Sequence, residues 1–197
     1  MARALSPLEE DTPMDPTPSP DQAIDATRCW LERAVIGLNL CPFARAVHKK
    51  GQVRFVVSEA EQPLQLHDEL VRELKLLRDT AAETIDTTLL IHPRVLGDFM
   101  DFNEFLEIAD ETVAELALEG EIQVASFHPD FQFEGTAPDD ITNYTNRSPY
   151  PTLHLLREAS IDRAVAAFPE ASTIFEANIE TLDRLGHEGW RALFPKP

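Results

Sequence analysis

TTLLIHPRVLGDFMDFNEFLEIADETVAELALEGEIQVASF, residues 87–127, changes its apolar period twice. Thr87 to Ile91 is a short β-branched and apolar run of strand character. Phe99, Phe102, Leu106, Ala109, Val113 and Leu116 then recur at spacings of three and four, which predicts a helix over about residues 98–116. Ile122 to Phe127 returns to strand character. Upstream, Val53, Phe55 and Val57 alternate within a strand predicted from Gln52 to Ser58, and Val56 implies some burial on both faces. Leu66, Leu70, Val71, Leu74 and Leu77 form an amphipathic stripe between the first two strands. The order is strand, helix, strand, helix, strand. Such alternation predicts an α/β class with crossover connections and a small mixed or parallel sheet of at least three strands covered by helices. The alternative is an α+β, ferredoxin-like arrangement with antiparallel pairing, because the strands are few and short.

Farther out the signals change. Residues 1–20 hold Pro13, Pro16, Pro18 and Pro20 among acidic and small residues, too little apolar area to offset ordering, and read as a disordered tail before one domain at 21–197. A first helix is predicted from Asp21, with Ile24, Leu31, Ala34, Val35 and Leu38 on one face, ending at residues 37–40 ahead of Cys41-Pro42. After Phe127 the periodicity stops, and residues 128–151 make a long loop interrupted by one helical turn near Pro138-Asp139-Asp140. Loops of that length in compact domains are often functional. Helix is predicted to resume over Thr152–Glu158. Ser160 reads as the N-cap of a helix to Phe168, and Pro169 as the start of another that Gly186 ends. Trp190, Leu193 and Phe194 form a last short helix in a helical C-terminal part.

The 197 residues carry 35 acidic and 17 basic side chains, a formal charge of −18. That field disfavours nucleic acid and anionic membrane, whose binding needs clustered Lys and Arg. Arg45, His48, Lys49, Lys50 and Arg54 form the one dense basic stretch, read as a solvated turn or, less simply, as an anion site. No apolar run reaches the roughly 20 residues of a membrane span, and no secretory signal is evident. Two cysteines, Cys29 and Cys41, read as free thiols of a cytoplasmic protein.

Several stretches resemble the bacterial domain of unknown function 1415. They are Trp30-Leu31-Glu32-Arg33-Ala34-Val35-Ile36-Gly37-Leu38-Asn39-Leu40-Cys41-Pro42-Phe43, Thr88-Leu89-Leu90-Ile91-His92-Pro93, Gln123-Val124-Ala125-Ser126-Phe127-His128-Pro129-Asp130 and Asn146-Arg147-Ser148-Pro149-Tyr150-Pro151-Thr152-Leu153-His154. The resemblance runs from about residue 24 to the C-terminus and implies the domain. It implies no activity, so chemistry rests on the residues.

Parallel strands would place Ser58-Glu59, His92-Pro93-Arg94 and His128-Pro129-Asp130 on one sheet edge, where open α/β sheets usually bind ligands. Proline after histidine ends a strand, which explains Pro93 and Pro129 but not the repeated histidine. His128 is the leading general acid or base, with Asp130 to fix its tautomer and His92 and His154 as further candidates. Arg147, Ser148 and the amides expected at a helix beginning with Thr152 suggest an anion clamp. Cys41 reads as a core thiol or, given a partner from the fold, a nucleophile or ligand.

The leading expectation is therefore an enzyme acting on a small anionic metabolite. The second is a transition-metal protein drawing ligands from Cys41, His92, His128, Asp130 and His154, with zinc or iron suited to them. The third is a partner-binding protein displaying Phe131, Phe133 and Tyr144. The seven glycines are scattered and form no phosphate-binding loop.

Overall fold

The computed structural model describes residues 17–167 and 173–194. Residues 1–16, Phe168 and Pro169 lie outside the described residues. Ser19 caps the first helix, α1 (Pro20–Trp30), by accepting from the Gln22 amide while Gln22 returns a bond to the Ser19 amide. The chain continues without a break into a π-helical segment, Leu31–Ile36. Gly37 follows that segment at a place that admits only glycine, because a Cβ there would sit 2.1 Å from the Arg33 carbonyl oxygen.

The rest runs α2 (Ala44–Lys49), β1 (Val53–Val57), α3 (Pro63–Asp79), β2 (Thr87–Ile91), α4 (Phe99–Glu115), β3 (Ile122–Phe127), a 3₁₀ turn (Ile141–Thr145), β4 (Thr152–Arg157), α5 (Glu158–Ala167) and α6 (Ile174–Leu193). The basic stretch expected to be a turn thus folds as α2, with Lys50 and Gly51 turning into β1. Gly186, at φ 61° and ψ 176°, breaks α6 into the two pieces that the sequence suggests.

The sheet is four-stranded in the order β1-β2-β4-β3. β1 and β2 are parallel, while β4 is antiparallel to both β2 and β3. The fold is accordingly α/β with a mixed sheet, and antiparallel pairing is confined to β4. The helix expected over Thr152–Glu158 is β4 instead. Leu153, Leu155 and Leu156 favour helix locally, but the gap between β2 and β3 offers paired backbone partners on both sides, and Leu153 and Leu155 are fully buried there. Ser160 consequently lies within α5 instead of capping a helix.

Alternation gives the sheet two different faces. Leu90, Ile122, Val124, Leu153 and Leu155 meet Leu66, Leu70, Leu74 and Leu77 of α3 and Phe102, Phe105, Ala109 and Val113 of α4. Each fully buried Leu or Phe there contributes roughly 1.5–3 kcal/mol of transfer free energy. Val53, Phe55, Leu89, Ile91 and Phe127 face the other way, toward α1, the π-helical segment and the end of α6. That second face is incompletely covered.

Arg157, the last residue of β4, fastens the sheet to the end of α3. Its guanidinium donates to the carbonyls of Leu77 and Thr80 at the end of α3 and of Ile85 in the connection to β2. Substituting Arg157→Ala is expected to destabilise the fold by about 2–3 kcal/mol, since bonds from a charged donor are lost and buried acceptors are stranded. Urea unfolding checks this, and Arg157→Lys should recover only part of the loss.

Candidate functional site

β1, β2 and β3 do end on one edge, because β4 runs opposite to its neighbours there. His92 and His128 stand on that edge, both on the α4 face and both fully buried. Phe102 packs on both rings, with centroids 5.6 Å and 5.1 Å away, and Phe99 adds a third contact at 5.4 Å to His128. Both imidazoles hold the connection between β2 and α4. His92 donates from Nδ1 to the Val95 carbonyl at 3.0 Å. His128 accepts the Asp130 backbone N–H at Nδ1 (3.0 Å), so Nε2 carries the proton and donates to the Leu96 carbonyl at 3.2 Å. Leu96 has φ 57°, a left-handed conformation unusual for leucine, and its carbonyl is fixed by this bond. Shared support of one loop gives the repeated His-Pro a physical reason.

The arrangement leaves no ring nitrogen of His128 for a substrate. Asp130 meets the ring through its backbone N–H, and its carboxylate makes no hydrogen bond to it. Burial lowers the His128 pKa, partly offset by the Leu96 carbonyl and the charges of Asp130 and Asp98. His92 is pushed down to about 4 by burial, and its Nε2 is a sealed acceptor with no partner among the described residues.

The expected anion clamp is also absent as drawn, because Thr152 opens a strand and no helix N-terminus stands there. Arg147 donates from Nε to the Phe131 carbonyl (3.1 Å) and from Nη2 to the Pro138 carbonyl (2.6 Å), with its guanidinium 4.5 Å over the Tyr144 ring. It gathers the loop from inside. The hydroxyls of Ser148 and Thr152 both donate to the Tyr150 carbonyl. Phe131 and Phe133 pack on each other, and Tyr144 packs on Trp190 and lines a small cavity of about 320 Å³ with Pro129, Arg147 and Ser148.

The larger space lies on the opposite face. A cavity of about 1290 Å³ sits over β1–β4 and is bounded by the π-helical segment, α2 and α5. Trp30, Leu31, Leu89 and Phe127 make its apolar floor and wall, while Lys50, Glu83 and Arg163 stand exposed at its rim. Two of the sequence candidates, His154 and Cys41, line it together. Alternation along β4 sends Leu153 and Leu155 to the α3/α4 face and His154 to this one.

His154 Nε2 is 2.6 Å from Thr87 Oγ1, which is 2.7 Å from the Leu155 carbonyl. The hydroxyl has a single proton. Both contacts are attractive only if Thr87 donates to the carbonyl and receives the proton of His154 Nε2. Nδ1 is then a bare acceptor, and it has no partner among the described residues. Burial lowers the His154 pKa to about 4, so the ring is neutral near pH 7. Burial also pushes the Cys41 thiol up, against the smaller effects of the Phe43 and Ala44 backbone. The two groups are a neutral thiol and a neutral imidazole rather than a thiolate–imidazolium pair.

At the rim, Ser160 donates to Asp86 (2.6 Å) and accepts from Arg163 (2.8 Å). Thr87, Asp86 and Ser160 are not among the site residues that the sequence suggests; it assigns Ser160 only to a helix cap and Thr87 only to a strand. Thr87 carries a signal only once residues 152–157 are known to be its cross-strand neighbours. Among the described residues no three His, Cys, Asp or Glu side chains converge as a metal site, and no helix is long and apolar enough to cross a membrane.

The fold and site define an α/β protein with a mixed sheet and one face hollowed by a large, mainly apolar cavity. Residues 22–192 match the family described as "Protein of unknown function (DUF1415)", and the chain belongs to that family. Neither the curated proteins nor the solved structures give a match.

Two histidines make stability pH-dependent. His92 and His154 hold pKa values of about 4 in the fold against about 6.5 when unfolded. Between those values the unfolded chain binds more protons, so stability is full above about pH 6.5 and declines as pH falls toward 4. Urea unfolding at pH 7 and pH 5 should show a loss of about 1–2 kcal/mol for His92, and less for His154 because it borders the open cavity. In His154→Gln the acid loss should be smaller than in the wild type; an unchanged loss would show that His154 titrates normally.

Proposed function

We propose that the protein binds a small organic anion in the cavity of the second sheet face and, as an enzyme, acts on it there beside His154. The observation that carries this reading is the joint presence of His154 and Cys41 in one large cavity with an apolar floor. Pockets for organic ligands have this character: a mainly apolar lining with a few placed polar groups.

The anionic character follows from α2 and its C-cap. Within the basic stretch, Arg45 donates to the Ile36 carbonyl, His48 pairs with Glu32, and Arg54 pairs with Glu73. Lys50 makes no ion pair with a described residue, and it stands at the cavity rim in a chain of net charge −18. A carboxylate or phosphate on the ligand would be its natural counter-ion. His154, unprotonated near neutral pH, enters as an acceptor of a hydrogen bond or, in a reaction, of a proton; it holds no proton at Nδ1 to give. The general-base role expected for His128 thus passes to His154 in this reading. A cytoplasmic location suits the two free thiols.

Binding of 1-naphthoate, followed by the fluorescence of Trp30 in a Trp190→Phe background, tests the reading. Saturable quenching is expected, weakened about three- to tenfold by Lys50→Glu, the scale of one exposed charge contact. Arg147→Lys should leave it unchanged. Binding that follows Arg147 instead of Lys50 would return the anion site to the 128–151 loop. No saturable binding by any aryl or alkyl carboxylate would remove the cavity reading.

A further inference from the structure

We infer that the ligand of this cavity carries a hydroxyl or N–H donor on an aromatic body and places it on Nδ1 of His154. The inference rests on the cavity being a ligand site and adds the chemical class of the ligand.

Its first support is the locked tautomer. The 2.6 Å and 2.7 Å contacts of Thr87 Oγ1 form a directed chain from imidazole to hydroxyl to the Leu155 carbonyl. Reversing the chain would set two acceptors 2.7 Å apart, so the fold presents one face of the ring as an acceptor and no other. A donor on the ligand completes the chain, whereas an ether or carbonyl oxygen at that point would face a lone pair.

The second support is the contrast with the two buried histidines. His128 has both nitrogens bonded, and the free nitrogen of His92 is sealed in the core. The free nitrogen of His154 is not among the sealed polar atoms, and its residue lines the cavity. Unmet hydrogen-bonding capacity facing a mainly apolar cavity favours ligands that carry the matching group.

The third support is the floor around the ring. Phe127 lies 5.9 Å from His154 and 5.0 Å from Trp30, centroid to centroid, the latter edge-on. A flat ring laid on this floor would contact apolar surface over most of its area and bring one edge to Nδ1. With Lys50 at the rim, the expected ligand is a hydroxyaryl or N–H heteroaryl acid.

A matched probe series separates the donor from the rest. Binding of 1-naphthol, 1-methoxynaphthalene and naphthalene to the full chain is measured by Trp30 fluorescence in the same Trp190→Phe background. The naphthol is expected to bind about two- to tenfold tighter than the ether, the range of one hydrogen bond made in exchange for water. His154→Phe should abolish that preference while keeping affinity for naphthalene, and His154→Gln should restore part of it. Should His154→Phe fail to fold, nitrogen NMR of histidine-labelled wild type gives the same answer. His154 should appear as the Nε2–H tautomer, and its Nδ1 resonance should move with naphthol and not with the ether. Equal affinity for all three probes, or an unmoved Nδ1 resonance, would overturn the donor inference and leave the cavity reading standing. If none of the three binds, the donor inference fails, and 1-naphthoate decides the cavity reading separately.

Discussion

Antiparallel insertion of β4 between β2 and β3 is the constraint on which the rest depends. Its ladder supplies partners for the backbone of three strands at once. It delivers Leu153 and Leu155 into the core beneath α3 and α4, and Arg157 at its end ties the sheet to the last turn of α3. Register does the remaining work. Pairing Leu89 with His154 and Ala125 with His154 sets a large polar ring in the middle of the sheet, flanked on its own face by a leucine and an alanine. Slipping β4 by one residue would send His154 into the α3/α4 core and two leucines into the cavity.

The same geometry explains why two buried histidines and the half-buried His154 have three different chemical positions. His92 and His128 follow their strands on the α4 side, where the loop carrying Val95 and Leu96 crosses over them, and backbone carbonyls capture their N–H groups. A neutral imidazole is well suited to such a place, since it offers one donor and one acceptor and no charge to desolvate. His154 leans on a side-chain hydroxyl from the neighbouring strand, which uses one nitrogen and leaves the other toward open space. Burial lowers all three pKa values, so a perturbed pKa alone does not separate scaffold from site. What sets His154 apart is access: the free nitrogen of His92 is sealed in the core, whereas His154 borders the cavity.

Much of the fold was legible because it was written in periods. Thr87–Ile91 and Ile122–Phe127 are strands at the residues where β-branched and apolar runs put them, and α3 and α4 follow their leucine and phenylalanine stripes. β4 was not legible, because Thr152-Leu153-His154-Leu155-Leu156-Arg157 combines good helix formers with a pattern that fits either period. Only the vacant position in the sheet decides it, and that is tertiary information. Misreading it moved the expected anion clamp to a helix terminus that does not form, and hid the link between Thr87 and His154. The candidate residues themselves were partly legible: Cys41 and His154 were singled out, but nothing local joins residues 113 positions apart.

The two faces also differ in how completely they are packed. On the α3/α4 face large apolar side chains pack on one another, and His92 and His128, which enter it, serve the backbone. On the other face the helix that should cover the sheet is widened into a π-helical segment, followed by Gly37, and turned away at Cys41-Pro42. Such widened turns often accompany functional sites because they displace side chains from a regular helical stripe. Here Leu31 and Val35 of that segment line the cavity, and α2 follows as its rim. Filling the space with larger apolar side chains would give a denser core. Retaining a cavity of about 1290 Å³ around an unsatisfied imidazole nitrogen forgoes that packing, which is intelligible if a ligand supplies the missing contacts.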